Sequence, residues 1–335
     1  MKLDTPCRIC GGVAEHDRYS VREMMFGTRE EFSYFLCAQC GCLQITEIPP
    51  NLSNYYPDSY YSLNQDNTAT RSKKHPRPRA FLEKIRAGTA LFGKRYKLDK
   101  LAAQFVDIPP EIHPVGPYIK ACGIQSWDAA FLDVGCGSRS WWLSNLHDLG
   151  FTNLVGVDPH IEHDIDENGI HIRKAKIHDI EGQFDLITLH HSLEHIPDQA
   201  NTLQAIKSRL KPRGHCLIRI PLVSSLVWEM YGTDWVGLDA PRHLYLHSLT
   251  SIEMLGEKVG LELVQTSWDS CRFDFYGSEQ YRRDIPLTAE NSFWKEPSKS
   301  DFTYREMANF SALADKVNQD GRGGFGCFIF RIADQ

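Results

Sequence analysis

The chain carries four cysteines in two matched pairs, Cys7-Arg8-Ile9-Cys10 and Cys37-Ala38-Gln39-Cys40, each followed by glycine. A two-residue spacer lets both thiolates of a pair reach one ion at about 2.3 Å, and the glycine permits the knuckle turn. Two such pairs complete a closed tetrahedral set, so Cys7, Cys10, Cys37 and Cys40 are expected to hold a structural zinc ion. Redox chemistry is the alternative, but a redox-active C-x-x-C normally occurs once, beside a βαβ pattern. Cys42 reads as a bystander core thiol.

A second constellation suits a nucleotide-like ligand. Phe131-Leu132-Asp133-Val134-Gly135-Cys136-Gly137-Ser138 is an apolar strand bearing an acid, followed by two glycines that turn the chain toward a helix near Trp141. Glycine is needed where a ligand approaches the backbone closely, and the helix N-terminus adds free N–H groups suited to a carboxylate. The next apolar run ends in Val157-Asp158, about twenty residues on, where an acid can accept both ribose hydroxyls. The dinucleotide fingerprint G-x-G-x-x-G fails at Ser140, so a diphosphate is not required. A tight strand-to-helix turn without ligand is the plainer reading of Gly135 and Gly137.

The elements that must position these residues are legible from periodicity. Residues 129–134, 153–157, 184–189 and 215–220 read as buried strands, and Gly326 to Ile332 as a last one. Between them lie helical stretches such as Gln199 to Leu210, stopped by Lys211-Pro212-Arg213-Gly214. Strands alternating with helices predict a doubly wound α/β sheet. Residues 62–79 are polar and basic with prolines and read as a linker; 80–105 are helical in pattern; 270–322 read as an insertion over the sheet's active edge.

The glycine block resembles motif I of class I S-adenosylmethionine-dependent methyltransferases, and the resemblance runs from about Ala129 to Gly260. It implies a Rossmann-like seven-stranded sheet, with S-adenosylmethionine held by Asp133, Gly135, Gly137 and Asp158, and with Asp179 of Ile177-His178-Asp179-Ile180 on the adenine amine. Leu193-Glu194-His195-Ile196 after the fourth strand and Leu210-Lys211-Pro212-Arg213-Gly214 before the fifth are further landmarks. Arg139 stands where the family has its third glycine, which implies an altered cofactor pose or a lost activity. The cysteine region, with Tyr55-Tyr56-Pro57 and Tyr60-Tyr61-Ser62, resembles more loosely the zinc-binding N-terminal part of methyltransferases acting on nucleotide-linked deoxysugars.

Methyl transfer from a sulfonium needs the acceptor held in line, and a hydroxyl or C–H acid also needs a base with a pKa near neutrality. Pro241-Arg242-His243-Leu244-Tyr245-Leu246-His247 follows the fifth strand, at the edge where ligands of doubly wound sheets lie. His243 is the expected base and Tyr245 its orienting partner or substitute, with Arg242 available to a phosphate or carboxylate; helix capping or a buried carbonyl is the plainer role for His243. His190, His191, Glu194 and His195 form a second cluster, in which His190 or His191 lines the cofactor pocket and His191 is a further catalytic candidate. A Glu-x-x-Glu-His run is linked to a divalent cation in ubiquinone-pathway methyltransferases, but His191 replaces its first Glu. Trp141, Trp142, Trp228, Tyr231 and Trp235 are candidates to wall the pocket.

Composition bounds the partners. The 335 residues are 42% hydrophobic with net charge −6, so no whole-molecule attraction for nucleic acid or anionic membrane is expected, and no run is apolar enough to span a bilayer. The Asn/Asp-Pro-Pro-aromatic motif of amino-methylating nucleic-acid enzymes is missing; His190-His191-Ser192-Leu193 stands there. Ten cysteines are too few for a disulfide scaffold of this length and fit a reducing cytoplasm. The expected organisation is a zinc ribbon over 1–61, a linker over 62–79, a helical part over 80–128 and a methyltransferase domain over 129–335. Its expected work is methyl transfer from S-adenosylmethionine to a small molecule, a nucleotide-linked sugar or polysaccharide precursor first. A quinone- or polyketide-like acceptor and a non-catalytic binding or regulatory protein are the alternatives, and the oligomeric state is left open.

Overall fold

The computed structural model describes residues 3–57, 77–93 and 98–333. In chain order its strands are β1 (Leu3–Asp4), β2 (Glu15–Arg22), β3 (Glu31–Leu36), β4 (Leu43–Ile45), β5 (Ala130–Val134), β6 (Asn153–Val157), β7 (Ile165–Glu167), β8 (Ile170–Arg173), β9 (Phe184–His190), β10 (Leu210–Pro221), β11 (Tyr245–Leu246), β12 (Leu261–Trp268) and β13 (Phe325–Ile332). The helices are α1 (Arg77–Phe92), α2 (Asp99–Ala102), α3 (Ile112–Ala121), α4 (Trp141–Leu149), α5 (Gln199–Arg209), α6 (Leu226–Tyr231), α7 (Leu249–Val259), α8 (Arg272–Arg282) and α9 (Tyr304–Gln319). The chain divides into two compact units, one of Met1–Pro57, His191–Leu203 and Ile218–Phe328, the other of Asp58–His190, Gln204–Leu217 and Ile329–Gln335.

Residues 3–57, read from sequence as the body of a separate ribbon, thus share a unit with 191–203 and 218–328. That unit contains an antiparallel sheet ordered β1-β2-β3-β4-β11. Along β3, Phe32, Tyr34 and Phe35 are all buried, so this strand forms the sheet's apolar spine. The closing strand β11 comes from the segment that carries His243, with Tyr245 opposite Gln44 and Leu246 opposite Leu43. The turn after β2 is also anchored within the unit: Leu287 and Thr288 donate backbone N–H groups to the carbonyls of Met24 and Met25 at 2.9 and 3.0 Å. Residues 270–322 contain α8 and α9; Phe275 of α8 stacks on Phe310 of α9, and Tyr276 of α8 packs on Phe293 of the segment between them.

The other unit has the parallel strands at its centre. β5 lies between β9 and β6, parallel to both, and β8 follows β6 in parallel. Phe131, Leu132 and Val134 of β5 are buried, as a strand covered on both faces requires. Phe131, Phe151, Trp127 and Phe92 make an aromatic chain with centroid steps of 4.9 Å, edge-on at its two ends and tilted between Phe151 and Trp127. The larger sheet has eight strands among the described residues, ordered β12-β13-β10-β9-β5-β6-β8-β7, where seven were expected. The added strand is β7, antiparallel to β8. Asn168-Gly169 connects them with φ of 52° and 79°, the backbone a two-residue hairpin turn demands.

Three expectations shift in detail. Residues 77–79 open α1; 58–76, which hold the rest of the linker and Tyr60-Tyr61, lie outside the described residues. The helical pattern over 80–105 is two helices, since α1 ends before Gly93. Lys211 to Gly214, read as a stop, are the first part of β10, where their polar side chains can stay near solvent while Leu210 is buried.

Candidate functional site

The cofactor candidates fall in the unit of the parallel strands. Gly135 and Gly137 have φ of 72° and 65°, a left-handed backbone that a side chain disfavours, and this turns the chain from β5 toward α4. Gly135 donates its N–H to Val157 at 2.8 Å, tying the turn to the end of β6. Asp158 accepts the N–H groups of Gly137 at 2.9 Å and of His160 at 2.8 Å. The acid placed by sequence at the ribose also braces the glycine turn. Asp133 is buried and accepts from Ser140 Oγ at 2.6 Å and Thr188 Oγ1 at 2.8 Å. Ser140 in turn caps α4 by accepting from the Leu143 N–H. Asp133 is therefore an internal brace of the loop.

Burial pushes the Asp133 carboxyl up to about 6, against the pull of Ser140 and Thr188. Because its folded value lies above the ordinary 3.8, the native state holds the extra proton between these values, and this group's contribution to stability falls as pH rises from 3.8 to about 6. Asp133→Asn should flatten that part of the thermal-stability profile, as scanning calorimetry across this pH range would read; an unchanged slope would reject the assignment.

A cleft of about 210 Å³ borders the turn, lined by Ser138, Arg139 and residues 163–167. Arg139, exposed, faces the same cleft as Asp164, Asp166 and Glu167. Ser138 Oγ is buried and has no hydrogen-bond partner among the described residues. A left-handed glycine turn with an orphaned hydroxyl fits a ligand with polar atoms, as S-adenosylmethionine has. Asp179 lies exposed in a single 3₁₀ turn and accepts the Lys176 N–H. His190 lies between Trp141 and Trp142, with ring centroids 5.1 and 4.9 Å away. Trp142 is fully buried and belongs to the core, so only Trp141 of this pair retains an exposed face.

The acceptor-side candidates fall in the other unit. His243 is 9% exposed, and its Nδ1 lies 2.8 Å from the Gly237 carbonyl. A carbonyl only accepts, so Nδ1 carries the proton and Nε2 presents its lone pair. That Nε2 is 3.9 Å from Glu194 Oε1 and 3.9 Å from Asp239 Oδ2. The His195 ring stands edge-on to it at 4.6 Å, and burial with the field of His243 holds His195 down to about 4, so it is neutral at pH 7. Glu194 is fully buried and neither carboxylate oxygen makes a hydrogen bond among the described residues. Burial opposes its charge, but His191, His195 and His243 outweigh it and keep the carboxyl below its usual range. His191 has φ of 52°, a left-handed value rare for a side-chain-bearing residue, and its Nδ1 is 3.6 Å from Glu194.

Several assignments change. Tyr245 donates its hydroxyl to the Pro197 carbonyl at 2.8 Å and makes no hydrogen bond to His243 among the described residues, so it is not the base's orienting partner. Arg242 is fully buried and spent on Asp239, Glu23 and the Tyr55 carbonyl, which leaves it no face for a substrate anion. Trp235 is fully buried with Nε1 near Asp274, and Trp228 and Tyr231 lie on helix α6 and not in a loop. Sequence reading did not find Asp239 beside His243, nor Glu194 as its charged neighbour. Asp239 sits four residues before His243, but its left-handed φ of 37° that turns it back has no glycine to announce it.

The four cysteine sulfurs lie within 4.8 Å of one another, Cys7 and Cys40 at 3.6 Å and Cys10 and Cys37 at 3.7 Å. A tetrahedral ion with bonds of about 2.3 Å places its sulfurs roughly 3.8 Å apart, so the set can hold a metal. Both knuckles follow one pattern: Gly11 and Gly41 take φ of 74° and 71°, and their N–H groups bond the carbonyls of Cys7 and Cys37 at 2.9 Å. Backbone N–H groups of Ile9, Gly12 and Cys40 point at the sulfurs of Cys7, Cys10 and Cys37, which favours thiolates.

Residues 94–266, 173 of the 335 (266 − 94 + 1), match the model of a methyltransferase domain family, and the chain belongs to that family. It carries a methyltransferase domain of the S-adenosylmethionine-dependent kind, on a mixed α/β fold with a large parallel-rich sheet. It is similar to ubiquinone biosynthesis O-methyltransferase of Colwellia psychrerythraea, 30% identical over 35% of this chain and 59% of that protein. The like-named protein of Marinobacter nauticus is 32% identical over 31% of this chain and 50% of its own length. The chain thus spans about half to three-fifths of these curated relatives. Among solved structures it is similar to a SAM-dependent methyltransferase from Archaeoglobus fulgidus, 16% identical with a TM-score of 0.40, over 65% of this chain and 91% of the other. No helix among the described residues is long and apolar enough to cross a membrane.

Proposed function

We propose that this protein transfers the methyl group of S-adenosylmethionine to a small-molecule acceptor whose proton is taken by His243. The observation that carries the reading is the preset tautomer of His243, with Nδ1–H held by Gly237 and the Nε2 lone pair beside two carboxylates. S-adenosylmethionine supplies an electrophilic methyl carbon when bound. Gly135, Gly137 and Ser138 would cradle it, with Asp158 and Asp179 on its ribose and adenine and His190 against its pocket. A proton arriving on Nε2 turns the imidazole into a cation 3.9 Å from Glu194. His191, on the same carboxylate, is an auxiliary proton holder in this reading.

The acceptor class we favour is a nucleotide-linked sugar or polysaccharide precursor, on the resemblance of the cysteine region to methyltransferases of such sugars. A quinone-like phenol is the second reading, favoured by the names of the curated relatives. Cys7, Cys10, Cys37 and Cys40 hold zinc as a structural ion in either case, and thiols kept reduced for it suit the cytoplasm. No nucleic acid enters this reading, since the net charge is −6.

Calorimetric titration with S-adenosylmethionine and S-adenosylhomocysteine tests the cofactor half. Wild type is expected to bind in the micromolar range and Asp158→Ala to lose roughly 100-fold, because the variant forfeits both a charged acceptor and the brace on Gly137. Absence of binding by wild type would hand the chain to the non-catalytic reading, with Arg139 as the first suspect.

A further inference from the structure

The segment that presents His243 is held along its length by the cysteine module. Arg242 reaches Glu23 at 2.8 Å and the Tyr55 carbonyl at 3.1 Å. The His243 carbonyl accepts the Tyr34 hydroxyl at 2.8 Å, and the Leu244 carbonyl accepts the Ile45 N–H at 3.1 Å. Tyr245 and Leu246 are ladder partners of Gln44 and Leu43. Ser248, which caps α7, donates its hydroxyl to the carbonyl of Cys40. Gln44 itself donates Nε2 to Cys7 Sγ at 2.8 Å and accepts the Arg8 N–H at 3.1 Å.

These bonds are concentrated where a merely stabilising ion would not need them. β11 is only two residues long, too short to hold its own conformation, and the residues before it carry a left-handed Asp239. Two bonded paths run from the cysteines to this segment, Cys7 to Gln44 to Tyr245 and Cys40 to Ser248; they bracket Tyr245 to Ser248, and the Tyr34 hydroxyl extends the hold to His243.

We propose that the four-cysteine module is the positioning apparatus of the base, with Tyr34 the positioning residue that joins it to His243. This rests on the reading of His243 as the base. Gathering the four thiolates on one ion fixes both knuckles, and through β4 and Ser248 fixes the backbone from 244 to 248; Tyr34, the ladder partner of Ile45, carries the hold on to His243. The His243 ring then keeps its place between the Gly237 carbonyl on one nitrogen and Glu194 and Asp239 on the other. Fixing the loop before the acceptor arrives spares that ordering from the chemical step.

The zinc-loaded full chain and its Tyr34→Phe variant provide the first test. Removing one hydroxyl leaves the ring in place and frees the His243 carbonyl, so kcat should fall about 10-fold or more while S-adenosylhomocysteine affinity stays within twofold. The acidic limb of the pH–rate profile should move as well, because the distances from His243 to Glu194, Asp239 and His195 change. A variant that melts earlier yet keeps kcat and profile would overturn the positioning role. Metal removal by chelation, followed by hydrogen exchange, is the second test and needs no turnover. Amides 243–248 should exchange at least 10-fold faster and amides 131–134 should not. Unchanged exchange at 243–248 would sink the coupling between ion and loop. If His243→Ala keeps turnover, the base reading falls alone, since the exchange experiment still judges the mechanical link.

Discussion

His243→Ala is expected to reduce methyl transfer by about 10²- to 10⁴-fold, the range that a positioned general base contributes. Cofactor affinity should be nearly unchanged, because the neighbours of the His243 ring are Gly237, Glu194, Asp239 and His195, none of them a proposed S-adenosylmethionine residue. The ring also has structural neighbours, His195 at 4.6 Å and the Gly237 carbonyl at 2.8 Å, so stability alone could suffer. His243→Gln, which keeps a hydrogen-bonding side chain without a titrating nitrogen, separates the two. It should restore thermal stability toward wild type and leave turnover as low as in the alanine variant. Steady-state kinetics with S-adenosylhomocysteine calorimetry reads both quantities. Turnover within threefold of wild type in either variant would remove His243 from the mechanism.

The largest stability loss is expected at Arg242. Its guanidinium is fully buried and paired with Glu23, also fully buried, and with Asp239. Burial opposes the charge, but Asp239 and Glu23 more than compensate and hold the guanidinium protonated far above pH 7. Arg242→Met keeps much of the packing on Phe26 and strands two carboxylates, a change that costs roughly 3–5 kcal/mol. In a protein of this size the corresponding Tm drop is on the order of 10 °C. The sign with pH follows from the partners. In wild type Asp239 lies below its ordinary 3.8 despite burial, through Arg242, so its stabilisation is present above that pH and is lost as pH falls further. In the variant its carboxylate and that of Glu23 lose their cation, and stability should instead rise as pH falls toward 5. Adding Glu23→Gln should recover part of the loss. Scanning calorimetry of the three proteins from pH 5 to 8 checks this, and a variant as stable as wild type would mean that the ion pair contributes nothing.

The glycine loop between β5 and α4 was legible in the sequence because it is built from local contacts. Asp133, Gly135, Gly137 and Ser140 lie within eight residues, and the turn from β5 to α4 needs those types at that spacing. The cysteine knuckles are local for the same reason, each closed by its own glycine. The Asn168-Gly169 hairpin is equally local, since its two positive φ values need only those two residues. Tyr245 was misassigned for the opposite reason. His-x-Tyr spacing suggests a shared face, but the carbonyl that takes the tyrosine hydroxyl belongs to Pro197, 48 residues away in the chain.

The sequence by itself therefore determined the parallel α/β sheet, the glycine turn with its acids, and the four thiols in metal-ligand spacing. Each follows from side-chain periodicity or from backbone freedom within a few residues. Only the tertiary structure decided what surrounds the candidate base. Glu23 and Arg242 are 219 residues apart, Tyr34 and His243 are 209 apart, and Cys40 and Ser248 are 208 apart, yet all three pairs are bonded. Such pairs form because burying a charge or a carbonyl is costly unless a partner arrives with it, and which partner arrives is settled by the packing of β3, β4 and β11 together. No local pattern encodes that choice, so the link from the cysteine module to His243 exists only in the folded chain.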